Sequence, residues 1–168
     1  VQTCALPISD VPLTRSQATA LGGRALDVRV TDKAVTDADV WLYDAATKVA
    51  VIGDLVTMPV PYFETAYPDR WRASLDEVWA TPFETAIPGH GRPMTRPQLD
   101  AYRQSLSAFV SCVRSDKGKA ACGAVWVDGM SAAIGDDPSR RKAIASDMEY
   151  YVDYLRTGGG KAPDCTAQ

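Results

Sequence analysis

The sequence predicts an α/β domain, on three observations. Two short apolar runs, Val49-Ala50-Val51-Ile52-Gly53-Asp54-Leu55-Val56 and Ala86-Ile87-Pro88-Gly89-His90-Gly91, each stop at a glycine beside one polar, metal-competent side chain. Buried strands deliver functional residues to a sheet edge in this way. Between the two runs Trp71, Leu75, Val78 and Trp79 recur at helical spacing, so the segment reads strand, loop, helix, strand. Asp54 and His90 are therefore expected on neighbouring strand ends, where α/β proteins place their sites.

Residues 9–20 are polar with scattered apolar side chains and are expected to form a connector. Leu21-Gly22-Gly23-Arg24 reads as a turn, and Ala25 to Val30 alternates like a half-buried strand. Asp39 to Asp44 is a second strand, and Ala45-Ala46-Thr47-Lys48 is a hairpin-type connection to a third, Val49 to Gly53, ending at Asp54. The loop Thr57 to Phe63 is apolar, and its two prolines exclude a regular strand or helix interior. It either walls a substrate pocket or packs on the sheet. Asp69 to Thr81 is the amphipathic helix, and Thr85 to Pro88 a fourth strand.

Thr95 is a candidate N-cap for the next helix, with Pro97 in its first turn, where a missing N–H costs nothing. Leu99, Tyr102, Leu106, Phe109 and Val110 form its apolar stripe. A last helix follows Asp137-Pro138, turns Ile144, Met148, Tyr151, Val152 and Leu155 inward, and stops at Gly158-Gly159-Gly160. The tail beyond is expected to be loose.

With 168 residues, 46% of them hydrophobic, the chain suits one globular domain with a moderate core. Its net charge of −3, with both signs interspersed, offers no nucleic-acid or anionic-membrane surface. No apolar run approaches the roughly 18 residues of a membrane-spanning helix. There is a single histidine. Cys112 and Cys122 flank a charged turn between two helices, and two states stay open for them: a disulfide in an exported protein, or reduced, partly buried thiols. Cys165 would pair elsewhere or stay free.

From near Leu21 to about Val113 the chain resembles the second half of the metallo-β-lactamase-fold hydrolases, on Gly53-Asp54-Leu55 followed by Pro88-Gly89-His90-Gly91. The resemblance implies an αβ/βα sandwich, of which residues 9–113 supply the C-terminal part and residues 114–168 a helical extension and tail. It implies two zinc ions, with Asp54 bridging them and His90 completing the shell of the second. The reaction implied is attack by metal-activated water on an ester, thioester or amide-type small molecule. Read from the residues alone, Asp54 is a metal ligand or a turn-capping carboxylate after Gly53, and His90 a ligand or a loop residue. The family's other ligands belong to a His-x-His-x-Asp-His motif, absent here, and to a histidine whose position is Val35. Valine cannot coordinate a metal. Asp32, Asp37 and Asp39 lie close enough in sequence to substitute, and equally suit a solvent-facing turn.

Val1-Gln2-Thr3-Cys4-Ala5-Leu6-Pro7-Ile8 matches, in frame, the translation of a common sequencing-library adapter. Residues 1–8 are therefore expected to be artefactual, and the chain a fragment lacking its first half and any export signal. The fragment is expected to be inactive, the parent to be bacterial and periplasmic or secreted. A half-sandwich would leave an apolar sheet face of Val28, Val30, Trp41, Val49 or Val51 uncovered and prone to self-association. Two other readings compete: a non-catalytic binding or structural domain of the same fold whose metal site is lost, and an unrelated α/β domain in which Asp54 and His90 lie more than about 8 Å apart, too far for a shared two-metal centre.

Overall fold

The computed structural model describes residues 13–159. The adapter-like segment 1–8, Cys4, Cys165 and the tail from 160 lie outside the described residues.

A six-stranded sheet runs in chain order, β1 (Gln17–Leu21), β2 (Arg24–Asp32), β3 (Ala38–Asp44), β4 (Val49–Thr57), β5 (Thr85–His90) and β6 (Met94–Thr95). The first four strands form an antiparallel meander, β5 runs parallel to β4, and β6 closes antiparallel on β5. A parallel neighbour requires a crossover, and α1 (Pro68–Ala80) supplies it. The helices α2 (Arg96–Val113), α3 (Lys119–Gly129), α4 (Ser131–Ile134) and α5 (Pro138–Arg156) follow. None of the described helices is long and apolar enough to cross a membrane.

Several boundaries differ from the sequence reading; β5, for one, runs on past Pro88 to His90. Within the expected connector, residues 17–21 form β1, because Gly22 and Gly23 adopt φ of 57° and 78° and fold a two-residue hairpin onto β2. The third strand does not end at Asp54. Gly53, at φ 52°, breaks the β4–β5 register, and the strand resumes to Thr57.

Directly paired residues share a sheet face. Trp41, Tyr43, Ala50, Ile52 and Ala86 lie on the face covered by helices and are buried. The opposite face carries Val28, Val30, Val40, Leu42, Val51 and Ile87 in register. Val40, Val51 and Ile87 there are 42%, 39% and 37% exposed. The open face is thus real, but Trp41 is not on it. As Trp41 pairs with Arg29 and not with Val28 or Val30, it points to the helix side, and Val28 is itself buried.

One continuous core joins the sheet, α1 and α2 to Trp126 of α3 and Ile144, Met148 and Val152 of α5. Thr95 caps α2 as expected, and it does so in a reciprocal box with Gln98 that the structure adds. Cys112 and Cys122 are closed as a disulfide with Cα atoms 5.4 Å apart, tying the end of α2 to the start of α3.

Candidate functional site

The parallel pairing of β4 and β5 sets the two motifs side by side. Gly53 is paired with Pro88, and Thr57 with His90. The longer β4 stretch between those pairs bows outward and lifts Asp54 toward His90. Met58 N–H then donates to the His90 carbonyl at 3.1 Å and locks the end of the pair. Asp54 Oδ1 and His90 Nε2 come within 3.6 Å, with side chains 56% and 68% exposed. That distance excludes the unrelated-domain arrangement, in which they would stand apart.

Gly89 explains how the carboxylate fits. A β-carbon there would overlap Asp54 Oδ1, so only glycine leaves room for it. The glycine of one motif and the aspartate of the other form one local structure.

Asp54 and His90 open into a cleft of about 430 Å³, walled by Val35, Met58, Val60 and Tyr62. The proline-stiffened loop lines the cleft, and its end packs on helices rather than on the sheet. Met58, Val60 and Tyr62 face the cleft, and Phe63 is buried against Trp71, Phe109 and Tyr151. Helices far along the chain hold the loop: Trp126 Nε1 donates to the Pro59 carbonyl at 3.0 Å, Tyr151 Oη to Glu64 Oε2 at 2.7 Å, and Tyr154 Oη to the Glu64 carbonyl at 2.9 Å. Partial burial, then the nearby Glu64 carboxylate, raise the Tyr62 phenol above its ordinary value.

Val35 lines the cleft as a buried apolar side chain. Its backbone N–H donates to Asp39 Oδ2 at 2.9 Å, and the same oxygen accepts from Thr36 N–H at 3.0 Å. Asp37 Oδ1 accepts from Tyr67 Oη at 2.6 Å. Asp37 and Asp39 are thus engaged in the turn that holds Val35. Asp32 is exposed at the end of β2. Among the described residues no three His, Cys, Asp or Glu side chains converge on one point.

No protein-family model matches the sequence, and no curated protein shows significant similarity to it. Solved structures do. A metallo-beta-lactamase from Pontibacter korlensis superposes with a TM-score of 0.50 at 19% identity, over 58% of this chain and 48% of its own. A metallo-beta-lactamase family protein from Thermus thermophilus superposes with a TM-score of 0.50 at 19% identity, over 90% of this chain and 51% of its own. The chain carries part of the metallo-β-lactamase fold. It spans about half the length of these two structures.

Within the metallo-β-lactamase fold the two motifs occupy adjacent parallel strands, with the cleft at their ends. Sequence reasoning missed the role of Gly89 toward Asp54 and the anchoring of the cleft wall by Trp126, Tyr151 and Tyr154. The Gly-His pair was visible, but the side-chain partners lie 67 to 90 positions away and leave no local pattern.

Proposed function

We propose that this chain is the second half of a metallo-β-lactamase-fold hydrolase, acting on an ester, thioester or amide-type small molecule, in which Asp54 and His90 are metal ligands. The observation that supports this is their convergence: a carboxylate oxygen and an imidazole nitrogen 3.6 Å apart, both open to one cleft. Oxygen and imidazole nitrogen are donors that zinc takes. They are two donors, where a catalytic zinc uses three protein ligands, so the pair fits part of a shell and this chain alone is expected to be inactive. In this reading the remaining ligands come from a first half bearing His-x-His-x-Asp-His.

Zinc at this position would supply Lewis acidity for activating water and polarising the scissile bond. The chain's own contribution is positional. Gly89 gives Asp54 its place, the Met58–His90 backbone bond fixes the imidazole's strand, and Met58, Val60 and Tyr62 form a largely apolar wall against which a substrate lies. The Cys112–Cys122 disulfide favours a periplasmic or secreted setting.

Val35 favours a second reading, a non-catalytic binding or structural domain with a lost metal site, since a buried valine stands where the resemblance calls for an imidazole. The source DNA separates the two. A frame upstream of Ser9 that encodes His-x-His-x-Asp-His supports the hydrolase. An upstream half without those histidines, or a native start codon just ahead of Val1, supports the binding domain.

A further inference from the structure

A second and larger cleft, of about 570 Å³, lies on the other side of Met58, between the turn after His90 and the helical region. Met58 lines both clefts. The floor is apolar and adaptable: Met94 and Met130 are buried to 6% and 2% exposure, and methionine side chains reshape around varied apolar partners. Ala133 lines the rim and keeps the cavity open. The volume falls within the roughly 300–1,000 Å³ of small-molecule sites.

Arg92 and Arg140, both exposed, also line this cleft. Among the described residues neither forms an ion pair. Two carboxylates close to Arg140 in the chain have other partners, and the nearer, Asp137, also feels the Arg140 charge. Asp128 pairs with Arg141 at 3.0 Å. Asp137 caps α5, accepting from the N–H groups of Ser139 and Arg140 at 2.8 and 3.1 Å. Two exposed cations over a methionine floor match a ligand that is anionic at one end and apolar at the other.

We propose that this cleft binds an amphipathic monoanion, its acidic group at Arg92 and Arg140 and its apolar body on Met58, Met94 and Met130. The site is built wholly from this chain and does not depend on a metal at Asp54 and His90, so either proposal can fail without the other.

Calorimetric titration of the chain with octanoate and with octan-1-ol, which share a tail and differ in charge, tests it. The expected result is one octanoate per chain, bound at least about tenfold more tightly than the alcohol. The exposed double variant Arg92→Gln/Arg140→Gln should bring octanoate down to the alcohol's affinity and leave the alcohol unchanged, and Ala133→Phe should fill the cavity and weaken both. Val51→Thr, on the open sheet face, should leave octanoate binding as it is. Equal binding of acid and alcohol, undiminished octanoate binding in the double variant, loss of binding in Val51→Thr, or no octanoate binding at millimolar concentration would each overturn the proposal.

Discussion

Gly89 and Asp54 compete for one volume: a β-carbon on the glycine would overlap Oδ1 of the aspartate, and would also lie 2.9 Å from the Gly53 carbonyl carbon and 3.0 Å from Asp54 N. The two motifs are therefore coupled physically as well as by order in the chain. Gly89→Ala should destabilise the domain by about 1–3 kcal/mol, the usual cost of overpacking. Adding Asp54→Ala should recover part of that loss but not all, because the backbone contacts remain. Urea melts of the two single variants and the double give the coupling energy. Strict additivity would contradict the arrangement.

Arg96 joins three elements. Its guanidinium donates to the carbonyls of Thr81 at 2.6 Å, Trp79 at 3.0 Å and Phe83 at 3.3 Å, and stacks 4.2 Å from the Trp79 ring and 4.5 Å from that of Phe83. Those carbonyls belong to the end of α1 and the segment leading into β5, where helix-end acceptors need partners. Arg96→Ala should cost about 2–3 kcal/mol, and Arg96→Lys should restore only part, since an ammonium cannot reproduce the planar fork. Equal stability of the Lys variant and the parent in thermal melts would remove the argument.

Alkaline stability should be limited by buried phenols. Burial holds the Tyr102 hydroxyl well above its ordinary value of 10.0; burial and then its hydrogen bond to Glu64 raise Tyr151 in the same direction. Above pH 10 the unfolded chain releases these protons while the folded chain keeps them. The contribution is thus fully present below about pH 10 and falls with rising pH, by up to about 1.4 kcal/mol per pH unit for Tyr102. Lys48 and Lys119, raised by Glu84 and Asp153, act in the same direction. Denaturant melts between pH 9 and 11.5 should show the slope, and Tyr102→Phe should make it shallower. An unchanged slope would contradict the assignment.

The open face of the sheet, with Val40, Val51 and Ile87 in solvent, should make the chain self-associate. Sedimentation velocity over a concentration series should show reversible growth in mass. Val40→Lys/Val51→Lys should weaken it at least about tenfold, because each lysine would have to be desolvated at the contact. A monodisperse monomer at high concentration would refute the prediction.

The strands and helices around the site were legible because their signals are local. The Val49 and Ala86 runs, the helical spacing from Trp71 to Val78, and the Thr95 cap each lie within one element. Features set by pairing between elements were not legible. The Gly22-Gly23 turn was visible, but Gln17 to Leu21 lacks the β-branched density of a strand, so β1 was missed. Trp41 was assigned to the wrong face because face follows from its partner Arg29, not from its own neighbours. The continuation of β4 past Gly53 depends on a left-handed backbone that composition does not announce.

His90 is the only histidine in the chain, so one imidazole spectrum reports on the central claim without assignment ambiguity. The chain should be titrated with zinc chloride while the nitrogen-15 signals of the His90 ring are followed, in the parent and in Asp54→Ala. Metal coordination by both residues predicts a saturable shift at Nε2, weak because two ligands hold zinc poorly, and lost or much weakened in Asp54→Ala. An imidazole unmoved by millimolar zinc, or one that binds equally well without the Asp54 carboxylate, would show that these two residues are not ligands of one metal centre.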